Sequence, residues 1–395
     1  MGFNPQGFAR RPANIASGED VKKPNRPGMR LIQFLAFSVV LLLLGVACSQ
    51  GDRSTWNPAG PVAEKQLLLF NVLVWIMAVT FVGVEGVLIY AAIKFRARPG
   101  QGRPKQIHGN LPLEIAWTVI PTILIMGLGI WSVVVLWELN EPPVSADGVD
   151  NVLEVTATGH QWWFEFEYAD AGGGKTITTA NELRVPVDTP VRVLLESDDV
   201  IHSLWIPRLA GKVDMIPTHT NRLWFQADSN MIETLPATFL GQCAEFCGLS
   251  HALMKFEVTV MEQDDYDAWV ESYGQPPEFS AKAKEGQKVF NANCTSCHTS
   301  TGPDAPALVD GRVAGFLAGG AIAPAPNLTD LATRQKIAAG LLDLNEDNLQ
   351  SWLRNPNGIK PGNYMSAKAP FYKDGEITLS DDQISNVIEY LISLK

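Results

Sequence analysis

Two apolar runs constrain this chain before any other feature does. Leu67 to Ile93 and Leu113 to Trp137 each hold a single ionisable residue, Glu85 and Glu114. Both exceed the roughly 20 residues that a helix needs to cross a hydrocarbon layer of about 30 Å. A chain in hydrocarbon must satisfy its backbone hydrogen bonds internally, which leaves the helix as the form for runs of this length. Lys94, Arg96, Arg98, Arg103 and Lys105 lie between the runs with no acidic residue among them, and a basic loop of that kind stays in the cytoplasm. The prediction is a transmembrane helical hairpin over residues 66–140, with both polar regions on the outer, periplasmic face of a bacterial plasma membrane.

Residues 1–47 read as an export signal. Arg10, Arg11, Lys22, Lys23, Arg26 and Arg30 precede an apolar run from Leu31 to Ala47, which ends at Cys48. A basic region, an apolar core and a small residue before the cut are the parts of such a signal. Leu44-Gly45-Val46-Ala47-Cys48 resembles a bacterial lipoprotein box, with Cys48 as the lipidated residue, although Gly45 stands where a larger aliphatic is usual. A retained membrane helix with an incidental cysteine is the other reading. Residues 48–65 follow as a linker.

The formal net charge of −11 argues against nucleic acid as a partner, because phosphate binding needs a basic face. It suits a basic soluble protein drawn in by the long-range field. Over residues 145–265 the pattern changes to short alternating runs, among them Val152–Thr158, Val191–Leu195, Leu223–Gln226 and Phe256–Val260. Period-two runs broken by Gly, Pro and Asp predict an antiparallel sandwich or barrel, with any ligands on loops above a rigid frame. Gly159-His160-Gln161-Trp162-Trp163-Phe164-Glu165-Phe166 reads as an aromatic run on one strand, where aromatics ordinarily form core.

Within this region Cys243 and Cys247 stand four apart, His251 follows after four more and Met254 after a further three. Two thiolates, an imidazole and a thioether are soft or borderline ligands that favour copper over magnesium, calcium or manganese. Zinc sites more often use CxxC pairs and rarely a thioether. A disulfide between the two cysteines is the alternative, but it leaves the His and Met without a role. His202, in Asp198-Asp199-Val200-Ile201-His202-Ser203-Leu204-Trp205, is on its own more simply an interior histidine.

A linker over 266–280, rich in Gly and Pro, leads to a third region, 281–395. Cys294-Thr295-Ser296-Cys297-His298 is the pattern for covalent haem c attachment, both thiols joining the haem and the histidine placed under the iron. Met365 is the only methionine after it, and His298 the only histidine after His251. A His/Met-ligated iron therefore has one candidate pair. Ile384, Val387, Ile388, Leu391 and Leu394 recur at helical spacing over Asp381–Leu394, which predicts a C-terminal amphipathic helix.

The motifs together resemble the binuclear copper (CuA) subunit II of cytochrome c oxidase, carrying a fused cytochrome c as in the caa-type haem-copper oxidases. The expected fold is multidomain: a two-helix transmembrane hairpin, an all-β cupredoxin-like copper domain and an all-α class I cytochrome c domain. The resemblance implies that His202 and His251 cap two coppers bridged by Cys243 and Cys247. Met254 and the carbonyl of Glu245 complete the set. It makes Trp162 the residue that receives electrons, exposed above the copper pair. The Glu245 side chain would face a Mg ion shared with subunit I, with Asp214 near that site, and Asp199 would orient a donor. Glu114, in His108-Gly109-Asn110-Leu111-Pro112-Leu113-Glu114, matches the glutamate at the entrance of the family's proton path; a helix-start carboxylate stabilised by the dipole is the plainer reading. Lys360-Pro361-Gly362-Asn363-Tyr364-Met365 resembles the methionine loop of small cytochromes c, with Ser366 where proline is usual. Asn327-Leu328-Thr329 resembles a loop packed near the haem.

The expected function follows: electrons pass from a soluble cytochrome c or cupredoxin donor through haem c and CuA to subunit I, alongside subunit III. Dioxygen reduction belongs to another chain, since only His108, His160 and His219 remain beyond the assigned histidines. A quinol oxidase subunit II lacks the copper set. The alternatives are the electron-accepting subunit of a CuA-type nitric oxide reductase and a stand-alone membrane-tethered carrier.

Overall fold

The computed structural model describes residues 53–96, 100, 102, 106–142, 152–275, 277–300, 308–309, 312–313, 325–374 and 376–395. The expected export signal and Cys48 lie outside the described residues. Helix α1 (Pro61–Lys94) and helix α2 (Leu111–Glu138) match the two apolar runs, α1 starting about a turn and a half earlier and α2 fitting its run closely. Pro61 opens α1 at a position where no N–H is needed. Asn110 caps α2: its side chain accepts from Leu113 N at 3.3 Å, and its own N–H donates to Glu114 Oε1 at 3.0 Å. Lys65 Nζ and Glu138 Oε2, 2.8 Å apart, tie the start of α1 to the end of α2.

These same ends abut the next domain. Ala59 N donates to Arg208 O at 2.7 Å, and Trp224 Nε1 donates to Leu139 O at 2.9 Å. The other ends of these helices of 34 and 28 residues, with Glu114 in the first turn of α2, lie roughly 40–50 Å away along the helix axes at about 1.5 Å per residue.

Ten strands form two five-stranded sheets. The first runs β3 (Ile177–Ala180), β2 (Trp163–Tyr168), β1 (Leu153–His160), β5 (Val191–Ser197), β8 (Asn221–Phe225). The second runs β4 (Glu182–Pro186), β10 (Lys255–Met261), β9 (Ala237–Cys243), β6 (His202–Trp205), β7 (Lys212–Met215). Alternation drives the burial: Val191, Val193 and Leu195 are wholly buried while Glu196 is exposed. The sheets share one core, in which Phe164, Phe166, Leu204 and Phe256 interlock.

The expectation of an antiparallel sandwich needs amendment, because β1 pairs parallel with β5 and β4 parallel with β10. The aromatic run is not on one strand either. His160 closes β1, Trp163 opens β2 directly opposite it, and Gln161 and Trp162 form the turn between. The chain reverses there, which sets Trp162 at the end of the sheet rather than on its face.

Residues 266–273, expected to begin a linker, are helix and core. Helix α3 (Gln263–Ser272) buries Tyr266, Trp269 and Val270 against the copper-domain core, and Tyr273 follows them. An i, i+3, i+4 apolar stripe within an acidic stretch hides this helix from a composition-based reading.

The C-terminal region is helical. Helix α4 (Ala281–Asn293) crosses α8 (Asp381–Leu391) so closely that a Cβ on Gly286 would lie 1.8 Å from Asn386 O. Between them come α5 (Glu346–Arg354), α6 (Pro356–Ile359) and α7 (Tyr364–Lys368). Ser380 and Gln383 form a reciprocal capping box at the start of α8. Ile384, Val387, Ile388, Leu391 and Leu394 are buried, as their spacing predicts.

Candidate copper and haem centres

The end of the copper domain is built by strand termini. His202 opens β6, Cys243 closes β9, and the intervening segment 244–254 folds back so that Cys243 N donates to Met254 O at 3.0 Å. The donor atoms of His202, Cys243 and Cys247 all lie within 4.8 Å of one another. The two sulfurs are 3.8 Å apart, far beyond the roughly 2.05 Å of a disulfide, so the disulfide alternative is not realised. His202 Nδ1 faces Cys243 Sγ at 3.9 Å, and His251 Nδ1 faces Cys247 Sγ at 3.5 Å. Met254 Sδ lies 3.9 Å from Cys247 Sγ, and Glu245 O 3.2 Å from Cys243 Sγ. All six expected ligands therefore converge. Their chemistry fits copper: two thiols, two ring nitrogens, a thioether and a carbonyl.

Asp199, expected to orient a donor, is found holding the ring of His202. Its Oδ1 lies 2.8 Å from His202 Nε2, while its Oδ2 accepts from Gln161 N at 2.6 Å. The carboxylate thus holds the imidazole by one nitrogen and leaves Nδ1 for a metal, the usual support for a ligating histidine. Burial alone would raise the Asp199 pKa, but hydrogen bonds from His202, Val200 and Gln161 outweigh it and hold the carboxyl below its ordinary value. Burial would likewise lower His202, yet Asp199 and Cys243 raise it. The thiols divide their proton: the hydrogen bond from Cys247 lowers Cys243, and the same contact raises Cys247. Gly159 is required here, since a Cβ would stand 2.7 Å from His202 Cδ2.

Trp162 departs from expectation. It is only 8% exposed rather than open above the copper site. Its Nε1 donates to Cys247 O at 3.0 Å, and Gln161 Nε2 donates to the same oxygen at 2.7 Å. What covers it is the segment Lys360–Tyr364. A Cβ on Gly362, where φ is +79°, would lie 3.0 Å from the Trp162 ring and 3.1 Å from Leu249. Lys360 Nζ donates to Trp162 O, Ser250 Oγ to Pro361 O at 2.6 Å, and Tyr364 OH to Gln161 Oε1 at 3.5 Å.

A cavity of about 910 Å³ opens behind this contact, lined by Cys294, Cys297, His298 and Met365. Cys294 caps α4, and both Cys297 N and His298 N donate back to Cys294 O at 3.0 and 2.9 Å. This turn brings the two thiols and the imidazole to one wall. His298 Nδ1 is held by Pro326 O at 2.8 Å, which leaves Nε2 for an iron, and burial lowers its pKa so that the ring is neutral, as a ligand must be. Burial pushes the Cys294 thiol up to about 12. The volume, two thiols, a neutral histidine and a thioether among apolar side chains fit a haem c.

The two domains are also joined away from the cavity. Trp269 Nε1 donates to Asp330 Oδ2 at 3.1 Å, Arg184 Nη2 to Thr333 Oγ1 at 2.8 Å, and Asn327 Nδ2 to Thr178 O at 3.1 Å. Asn327 thus serves the joint between domains. The remaining expected residues lie elsewhere: Glu114 caps α2 at the far end of the hairpin, while Glu245 is exposed and Asp214 lies exposed on β7.

Comparison with known proteins decides the family. Residues 54–135 match the transmembrane domain of cytochrome c oxidase subunit II, 170–261 its periplasmic domain, and 283–395 cytochrome c. Cytochrome c oxidase subunit 2 of Alkalihalophilus pseudofirmus is 35% identical over 369 residues, covering 92% of this chain and 97% of the relative. The chain belongs to the cytochrome c oxidase subunit II family. The Bacillus subtilis subunit 2 is 38% identical over 375 residues, 93% of this chain and 98% of that one. Among solved structures, the periplasmic domain of subunit II (CoxB) of Bradyrhizobium japonicum is 33% identical over 30% of this chain and 91% of its own, with a TM-score of 0.27. As a subunit II with a fused cytochrome c domain, the chain is a membrane-anchored electron-transfer component of an oxidoreductase complex, and its domains imply CuA copper and haem c. A subunit II of this kind works with a haem-copper subunit I and a redox donor.

Proposed function

We propose that His202, Cys243, Cys247, His251 and Met254, with the carbonyl of Glu245, hold the two coppers, and that Cys294 and Cys297 anchor haem c with His298 and Met365 on the iron. When bound, the two groups supply reversible one-electron chemistry between a soluble donor and subunit I, where dioxygen is reduced to water with proton translocation. The observation that carries this reading is the methionine loop seated on Trp162. Five residues before Met365, Lys360 holds the Trp162 carbonyl, and the Trp162 ring donates to the main chain of Cys247. Trp162 accordingly links the two sites inside the protein and is not the surface on which a soluble partner docks. A rigid ligand frame suits this work, since little movement between redox states keeps the barrier to electron transfer small.

The donor, a soluble cytochrome c or cupredoxin, delivers to the cytochrome domain. Glu114 at the cytoplasmic end of α2 serves the proton path, and the Glu245 carboxylate, with Asp214, serves a Mg ion at the subunit I face. Subunit III and membrane lipid complete the surroundings of the hairpin, and the copper and cytochrome domains stand on the outer face. A CuA-type nitric oxide reductase shares the same electron-accepting design.

Purification through a tag on this chain tests the reading. The expected result is co-purification of a large haem- and copper-bearing membrane subunit with dioxygen uptake, together with electron spin coupled to two equivalent copper nuclei. A single-copper spectrum overturns the binuclear assignment. Uptake of nitric oxide in place of dioxygen selects the reductase.

A further inference from the structure

Lys360 is a buried cation with no carboxylate against it among the described residues; the Cys247 thiol, on the copper side, is the charged group that acts on it. Its residue is 4% exposed, it lines the cavity beside Met365, and its Nζ donates to the Trp162 carbonyl. The other charged groups around the cavity are answered within the protein or by solvent. Arg334 binds Asp330 and the carbonyls of Asn327 and Thr329. Lys336 pairs with Asp343, Asp199 holds His202, and Asp198 lies 3.5 Å from His160. Lys368 is exposed.

An ammonium taken out of water is costly unless an opposite charge and further hydrogen bonds meet it. Burial pushes this amine down to about 7, against a smaller opposing pull from the Cys247 thiol. One carbonyl accepts one of the three N–H donors of the charged form, and Lys360 is among the residues that line the haem cavity. A haem c attached through its vinyl groups and ligated at the iron still carries two propionate carboxylates, which are anions in need of donors.

We propose that one haem propionate is the counter-ion of Lys360, so that a single ammonium joins the haem rim to the main chain of Trp162. This rests on the haem reading above. The pair fixes the haem edge at the residue that contacts Cys247, and it neutralises the propionate. A haem whose neighbouring charge does not titrate has a potential that stays level around neutrality. Removing the ammonium stabilises the ferric form, which lowers the potential, and frees the propionate to titrate with redox state.

The test is redox titration of haem c in the intact oxidase, for wild type, Lys360→Met and Lys360→Arg, between about pH 6 and 8, where a displaced amine or carboxyl would titrate. The expected wild-type potential is level across this range. Lys360→Met is expected to keep covalent haem, by pyridine haemochrome, and the sulfur–iron band, but to show a lower potential that falls as pH rises. Lys360→Arg is expected to restore the level profile. If the Met variant fails to accumulate, Lys360→Gln keeps a donor for the Trp162 carbonyl without the charge and serves the same comparison. A neutral variant with the wild-type potential and profile overturns the pairing. So does a wild-type potential that falls with pH as a free amine would make it. Absence of covalent haem from the wild-type protein overturns the haem reading along with it.

Discussion

At the scale of single residues, Asp199 shows how a site is tuned from outside the ligand set. It touches no metal position, yet it fixes which nitrogen of His202 faces the thiols. Replacing it by Asn keeps the shape and loses the charge. Copper affinity is expected to drop about 10–100-fold, the usual cost of losing a partner behind a ligating histidine, as read by competition titration against a chelator. The same pair sets a pH dependence in the copper-free protein. Asp199 titrates below its ordinary value, so its contribution is present above the usual carboxylate range and is lost as pH falls. His202 titrates above its ordinary value, so its contribution is present at low pH and is lost as pH rises through the raised value. The contribution of the pair to stability should therefore peak between the two. Thermal melting of the copper-free wild type and Asp199→Asn across that range should differ most in the middle, and a constant offset would disprove the pairing.

At the scale of elements, the joint between the copper and cytochrome domains depends on a helix and a loop that composition disguises. Helix α3 sends Trp269 to Asp330, and Asp330 is shared with Arg334, which reaches Ala180 O at 3.5 Å. Arg334 and Asp330 are both almost fully buried. Breaking a buried pair by removing one partner costs about 3–5 kcal/mol because the other charge is left behind. Arg334→Ala should lower the unfolding free energy of the haem region by that order, read as a lower denaturant midpoint followed through haem absorbance. It should also speed proteolysis within residues 274–280, since a loosened joint leaves that strand of chain more accessible. An unchanged midpoint would show that the pair is solvated in the assembled protein.

At the scale of the whole molecule, charge and contact separate two tasks. Residues 152–280 hold 20 Asp and Glu against 7 Lys and Arg, while 281–395 hold 12 against 11. The acidic surface belongs to the copper domain, but its Trp162 lies beneath the methionine loop. A donor therefore meets the cytochrome domain first. In anaerobic stopped-flow mixing with a reduced donor, haem c should be reduced before the copper absorbance bleaches. Simultaneous or reversed order would mean that the donor reaches the copper domain directly.

Much of this protein was legible in its sequence. Membrane helices declare themselves by unbroken apolar length, because hydrocarbon admits little else. The proposed metal and haem ligands were legible by residue type and local spacing: Cys243, Cys247, His251 and Met254 lie within one short segment, and Cys294, Cys297 and His298 within another. Tertiary structure decided the rest, since it turned on which surfaces meet. The burial of Trp162, the helix over 263–272 and the buried cation at Lys360 all arise where segments from 61 to 198 residues apart in the chain come into contact. No local pattern encodes such a contact. It is selected by burial and hydrogen bonding that exist only once both domains are folded.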